Sequence, residues 1–93
     1  MEILHITTKK GGMFYTGDAD NTSSQLVYNI ALKDKMIIEH TEVTEILEGK
    51  GIGKQLVNAA VDYARKNKMK ILPLCPFAKT ILSASDKYKD VLV

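Results

Sequence analysis

Residues 43–54 read VTEILEGKGIGK, in which glycine occupies three alternate positions, Gly49, Gly51 and Gly53. The β-rich pattern of residues 35–43 predicts a strand before this segment, and apolar spacings of three and four predict a helix after it. Glycines at such a junction let backbone N–H groups converge on an anion, because no Cβ atoms obstruct its approach. The segment therefore predicts a phosphate- or pyrophosphate-binding loop, to which Lys50 and Lys54 add positive charge. A tight strand-to-helix turn without a ligand is the alternative.

Three known nucleotide- and RNA-binding loops do not fit this spacing. A P-loop needs Ser or Thr after Gly-Lys and a glycine at the position of Glu48, whereas Gln55 follows Lys54 here. A dinucleotide fingerprint needs a third glycine where Leu56 stands. An RNA-binding KH loop needs two glycines three residues apart, which this segment lacks. The loop therefore belongs to none of these classes.

The remaining sequence predicts an antiparallel meander followed by a crossover. Strands are predicted over four stretches before the loop: Ile3–Thr7, Met13–Thr16, Gln25–Leu32 and Lys35–Val43. In the third strand Leu26, Tyr28, Ile30 and Leu32 share one face. After the loop we expect a helix to about residue 68, a strand over Met69–Leu74 and a helix over Phe77–Ser85. A right-handed crossover makes the last strand parallel to its neighbour, whereas residues 86–93 predict no element.

Composition limits the kind of protein this is. The chain has 93 residues, 45% of them hydrophobic and 26% charged, which indicates one globular domain over residues 1–93. A net charge of +2, six aromatic residues and no Trp argue against nucleic-acid binding. One Cys and two His cannot form a closed zinc site, and no apolar run could span a membrane. With no export signal visible and Cys75 as the single cysteine, we expect a cytoplasmic protein.

The glycine segment resembles the acyl-CoA loop of the GNAT N-acetyltransferase superfamily, Arg/Gln-x-x-Gly-x-Gly/Ala. Residues 48–53 match at both glycines and depart from the pattern at Glu48, a carboxylate that would repel a pyrophosphate. Residues 14–18 (FYTGD), 40–43 (HTEV) and 73–79 (PLCPFAK) are similar to small single-domain GNAT-like proteins without the usual N-terminal helices. The resemblance runs from about residue 13 to the end of the chain.

This resemblance implies a fold, a cofactor and an activity. The fold is α+β, with a mostly antiparallel five-stranded mixed sheet, a main helix after the fourth strand and a shorter C-terminal helix. The cofactor is acetyl-CoA or CoA, and its arm would lie in a slot beside the fourth strand. The implied cofactor-binding residues are Thr41, Glu42, Val43, Glu48, Gly49, Lys50, Gly51, Ile52, Gly53, Lys54, Phe77 and Lys79.

The implied activity is acetyl transfer to an amine on a small molecule or a protein, by a monomer or a homodimer. In this scheme the backbone of Thr41 and Val43 faces the thioester and the pantetheine, although an ordinary central strand explains the same pattern. A CoA-binding sensor or protein-interaction module is the alternative function.

Cys75 and His40 are the candidate catalytic residues. Cys75 precedes the start of a predicted helix, whose dipole would lower its pKa, and the resemblance places it beside the CoA sulfur. It either carries the acetyl group, or lines the pocket and protonates the leaving thiolate, or is a small buried side chain. His40 shares a strand face with Glu42, and either residue can act as a general base or form a structural hydrogen bond. His5 receives no role.

Overall fold

A computed structural model of the chain describes residues 2–18, 21–32, 34–43 and 51–93. The strands of this described part are β1 (Leu4–Thr7), β2 (Gly11–Asp18), β3 (Asn21–Ala31), β4 (Lys35–Val43) and β5 (Lys70–Pro73). Its helices are α1 (Ile52–Lys66), α2 (Pro76–Ser83) and a 3-10 helix (Asp86–Tyr88). All five predicted strands and both predicted helices are present, with β2 and β3 longer than predicted.

The five strands form one sheet in chain order, from β1 to β5. The first three pairings are antiparallel, and β4 pairs with β5 in parallel because α1 carries the chain across between them. This mixed sheet, with one main helix after the fourth strand and a shorter helix near the end, confirms the predicted fold class.

A β-bulge changes the register in the middle of β4. Tyr28 of β3 lies opposite Ile38, but the preceding Val27 lies opposite His40, so Glu39 is the extra residue. Strict alternation would have turned His40 to the same side as the buried Ile38. The bulge reverses the alternation, so that Thr41 follows Ile38 on the face that packs against α1.

The core lies between the sheet and the two α-helices. Of the apolar positions whose spacing predicted α1, Ile52, Leu56 and Ala60 are buried, whereas Ala59 and Tyr63 are half-buried. Val57, Val61 and Ala64 are buried as well. Leu26 and Tyr28 of β3 are also buried, as predicted. The prediction was wrong for Leu32, which is 83% exposed because it lies in the turn after β3 with a φ of 54°.

The C-terminal residues pack along the outer edge of β5. The Ile71 amide donates to the Val91 carbonyl oxygen at 2.5 Å, and the Val93 amide donates to the Ile71 carbonyl oxygen at 3.0 Å. The Arg65 guanidinium of α1 donates to the Asp90 carboxylate at 2.9 Å. These contacts order a segment for which the sequence predicted no element.

Candidate functional site

The candidate site begins where β4 and β5 diverge. Their pairing ends at Ile38 and Pro73, and the amides of Leu74 and Cys75 both donate to the Ile38 carbonyl oxygen, at 3.0 and 3.2 Å. On this side of β4, residues 39–43 have no strand partner in the described part of the chain. The divergence leaves a slot beside β4, as the resemblance to GNAT proteins implies.

The start of α1 provides hydrogen-bond donors. Gly51 caps the helix with a φ of 75°, and the first helical bond runs from the Gln55 amide to the Gly51 carbonyl oxygen at 3.0 Å. The amides of Ile52, Gly53 and Lys54 precede that bond and have no acceptor within the helix. With no acidic side chain in the first turn, this helix end favours an anion.

Gly53 lies where α1 and α2 approach each other closely. A Cβ atom at Gly53 would lie 2.5 Å from Cζ of Phe77 and 3.5 Å from Cγ2 of Val43. Phe77 itself is 44% exposed. The Phe77 ring therefore lines the slot between the first turn of α1 and the end of β4.

Cys75 lies at the N-terminus of α2 and is 8% exposed. Burial tends to raise the pKa of its thiol, but hydrogen bonding from its neighbours outweighs burial and lowers this pKa. The neighbours are the Ala78 backbone, the Thr41 hydroxyl, and the backbones of Phe77 and Thr41. Ala78 and Phe77 belong to the start of α2, and Thr41 adds a contribution from β4 that the sequence did not indicate.

The Thr41 hydroxyl has an unusual environment. Its oxygen is buried and has no hydrogen-bond partner among the described residues. The same hydroxyl is nevertheless one of the groups that lower the pKa of the Cys75 thiol. Nothing in the sequence distinguishes this threonine from other strand threonines, so the position of its hydroxyl near Cys75 was not predicted.

His40 and Glu42 lie on the opposite face of β4 from Thr41. His40 Nε2 and Glu42 Oε2 are 3.3 Å apart, which confirms that the two side chains share a face. Their side chains are 55% and 64% exposed. The structure thus brings Cys75 and Thr41 together and places His40 on the solvent side of the same strand.

Other predicted site residues are near this slot or outside the described residues. Lys54 and Lys79 are exposed on the first turns of α1 and α2. Glu48, Gly49 and Lys50 lie outside the described residues. Within the described ranges no group of three or more His, Cys, Asp or Glu side chains could hold a metal ion. No described helix is long and apolar enough to cross a membrane.

His5 has a structural environment that the sequence did not reveal. Its ring stacks on Phe14, with centroids 4.0 Å apart, and meets the edge of Tyr63 at 4.7 Å. His5 Nε2 lies 2.6 Å from the Tyr28 hydroxyl oxygen. Burial lowers the pKa of His5. These partners come from three other elements, so only the assembled sheet and helix bring them together.

β4 and β5 diverge beside the start of α1, an arrangement that matches the fold implied by the resemblance. The chain belongs to the GCN5-related N-acetyl-transferase family, whose sequence profile matches residues 13–91. This match confirms the predicted superfamily and the predicted class of enzyme, an N-acetyltransferase. No curated protein matches the chain significantly.

Solved structures support the family assignment. A GCN5-like candidate N-acetyltransferase from Staphylococcus aureus is 35% identical, with a TM-score of 0.78, and the alignment covers 97% of this chain and 87% of that one. An IAA acetyltransferase from Bacillus cereus is 27% identical, with a TM-score of 0.58, and the alignment covers 70% of this chain and 44% of that one.

A GNAT acetyltransferase from Elizabethkingia anophelis, solved with acetyl-CoA bound, is 18% identical with a TM-score of 0.58. The alignment covers 69% of this chain and 42% of that one, and at this identity the likeness shows the fold alone. The chain therefore spans most of the S. aureus protein and less than half of the two larger relatives.

Proposed function

We propose that this protein transfers the acetyl group of acetyl-CoA to an amine. The observation that carries the proposal is that β4, which has no strand partner beyond Ile38 on this edge among the described residues, ends at Val43 beside Gly53 in the first turn of α1. A diphosphate fits the amides at the start of α1, because they offer donors and a positive dipole end. An extended pantetheine arm fits the free strand edge, which offers backbone donors and acceptors along residues 39–43.

Each proposed cofactor-binding residue has a definite part. Ile52, Gly53 and Lys54 donate backbone N–H groups to the diphosphate, and the Lys54 side chain adds charge. Thr41 and Val43 face the pantetheine arm with their backbone. Glu42 belongs to the same strand edge, Gly51 starts the helix, Phe77 lines the arm and Lys79 meets a phosphate. Gly49, Lys50 and Glu48 belong to the proposed loop, in which the Glu48 carboxylate would repel the diphosphate and so weaken CoA binding unless it points away.

The proposed chemistry centres on the sulfur of Cys75. Acetyl-CoA supplies the acetyl group as a thioester. The Cys75 thiolate forms a bond to the acetyl carbon while the bond from that carbon to the CoA sulfur breaks, and the departing sulfur keeps the electron pair and takes up a proton. An acceptor amine then bonds to the acetyl carbon and loses a proton, and Cys75 leaves as a thiolate. Backbone N–H groups of β4 stabilise the charge on the acetyl oxygen.

The lowered pKa of Cys75 supports this covalent route, because the thiolate is the nucleophilic form. Direct transfer to the amine is the alternative route, in which Cys75 lines the slot and protonates the leaving sulfur. We assign His40, held near Glu42 on the solvent side of β4, as the base that accepts the proton of the amine. The acceptor amine belongs to a small molecule or a protein.

One observation favours a second function. Glu48 stands where the GNAT acyl-CoA pattern has Arg or Gln, and its carboxylate would weaken the binding of the acetyl donor. A CoA-binding sensor or interaction module would use the same slot without transfer. A homodimer could complete the acceptor site, and a monomer leaves it open. Our proposal for location remains the cytoplasm, with residues 1–93 as one acyl-CoA-binding domain.

Intact-mass analysis after incubation with acetyl-CoA tests the covalent route. We expect one added acetyl group that Cys75→Ser abolishes and that free CoA does not produce. Absence of the adduct under all conditions would remove the covalent route.

Thermal unfolding with acetyl-CoA, CoA and ATP tests cofactor binding, because a ligand of the native state raises apparent stability. Release of free thiol with candidate amines then separates an enzyme from a sensor.

A further inference from the structure

The hydroxyl of Thr41 is an exception among the described polar side chains. Its oxygen is the only buried side-chain nitrogen or oxygen in the described ranges that has no hydrogen-bond partner. Buried polar groups are nearly always paired, because leaving one unpaired is destabilising. An unpaired hydroxyl near the Cys75 sulfur therefore indicates that its hydrogen-bond partner forms only when this sulfur is deprotonated.

The fold places the Thr41 hydroxyl near the Cys75 thiol. The Cys75 amide is tied to the Ile38 carbonyl oxygen at 3.2 Å, which holds the start of α2 next to β4. The bulge at Glu39 then turns Thr41 to the side that packs against the helices. Hence the buried Thr41 hydroxyl lies on the side of β4 to which the start of α2 is tied, near enough to the Cys75 thiol to lower its pKa.

We propose that Thr41 is a positioning residue, whose hydroxyl donates a hydrogen bond to the Cys75 sulfur when that sulfur is a thiolate. A protonated thiol is a weak acceptor, whereas a thiolate is a strong one, so the hydroxyl gains its partner only on deprotonation. Thr41 thereby increases the thiolate fraction and directs the sulfur towards the slot. The catalytic value of this bond rests on the proposed function, but the bond itself does not.

The other groups near the Cys75 sulfur are backbone groups or exposed side chains, so Thr41 is the side chain whose substitution tests the effect on this thiol. The backbones of Ala78, Phe77 and Thr41 also act on the thiol, but no substitution removes them selectively. His40 lies across β4 and is exposed, as are its neighbour Glu42 and, on α2, Lys79. Among the described residues, Thr41 is the one side chain that lowers the pKa of Cys75.

The test is the pH dependence of Cys75 alkylation by iodoacetamide in Thr41→Val. Valine keeps the shape of threonine and removes the hydroxyl, and Cys75 is the single cysteine, so the reaction reports this sulfur alone. We expect the alkylation midpoint to move to higher pH by about one unit, a roughly tenfold loss of thiolate at neutral pH. Thr41→Ser, which keeps a hydroxyl, should restore a profile close to that of the unmodified protein.

Thr80→Val is the matched control. The Thr80 hydroxyl donates to the Pro76 carbonyl oxygen at 2.9 Å on α2, so this variant removes a nearby hydroxyl that does not serve the sulfur. Its alkylation midpoint should remain unchanged. Thermal unfolding checks that each variant folds, and Thr41→Ala replaces Thr41→Val if the valine variant does not.

The outcomes distinguish this proposal from the proposed function. An unchanged midpoint in a folded Thr41→Val protein overturns the hydrogen bond, as does an equal shift in Thr80→Val. A shift that Thr41→Ser reverses supports the bond. Acetylation of the unmodified protein is measured separately by intact mass, so failure of acetyl transfer with a shifted midpoint counts against the covalent route alone.

Discussion

The two halves of β4 lie in one strand and have opposite roles. Residues 35–38 are paired on both sides, with β3 and with β5, and their inward side chains Met36 and Ile38 are fully buried. Residues 40–43 are paired with β3, and on their other edge, which faces the slot, they have no strand partner among the described residues. The first half therefore holds the sheet together, and the second half leaves backbone groups available for a ligand.

Two local features separate these halves. Pro73 ends β5 and cannot donate a backbone hydrogen bond, and Pro76 starts α2 soon afterwards. The bulge at Glu39 turns His40 to solvent. An open edge on β4 therefore results from the early end of its neighbour β5.

The largest effect is expected from Ile38→Ala in the paired half. Removing this fully buried side chain leaves a cavity, so the free energy of unfolding should fall by about 2–5 kcal/mol. Urea denaturation measures the loss. Glu42→Ala in the open half is the control, and its exposed side chain predicts a change within about 0.5 kcal/mol. Equal losses in both variants would contradict the division of β4.

The next effect is expected from His40→Ala in the open half. If His40 accepts the amine proton, turnover should fall on the order of 100-fold, while affinity for acetyl-CoA stays nearly constant. Steady-state kinetics and calorimetry with CoA measure the two quantities. Lys35→Ala, on the paired half and partly exposed, serves as a control. Unchanged turnover in His40→Ala would remove this residue from the mechanism.

A smaller effect is expected from Gly53→Ala, which faces the open half across the slot. The added Cβ would displace the Phe77 ring, so affinity for CoA should fall about tenfold, or 1.4 kcal/mol. Stability should hold, since alanine favours the helix and the ring can shift. Calorimetric titration measures the affinity. Adding Phe77→Ala to this variant should restore part of the lost affinity for CoA. If the affinity does not recover, displacement of the Phe77 ring is not the cause of the loss.

The smallest effect concerns the edge of the sheet farthest from β4. Burial lowers the pKa of His5, so the unfolded chain binds this proton at a higher pH than the folded protein. The contribution to stability is thus complete above the unfolded pKa of 6.5 and decreases as the pH falls below it. Denaturation midpoints at about pH 7.5 and 5.5 should differ less in His5→Gln than in the unmodified protein. The same pH dependence in His5→Gln and in the unmodified protein would show that His5 does not cause the loss of stability at low pH.

The sequence predicted the order and type of the main elements because these depend on local spacing. The apolar stripe of α1 and the start of α2 at Pro76 were predicted from neighbouring residues alone. The sequence placed Leu32 on the strand face of Ile30 because the apolar alternation continues to this residue, whereas the chain already turns there and exposes it. The contacts of His5 and of residues 86–93 were not predictable, because each joins segments far apart in sequence.

The amino-acid sequence by itself determined the family, the crossover and the glycine-rich helix start, because these are properties of short segments and their backbone freedom. Only the tertiary structure decided that Thr41 meets Cys75 while His40 faces solvent. That outcome depends on one extra residue in the pairing of β3 with β4, and a register of this kind exists only when two strands come together.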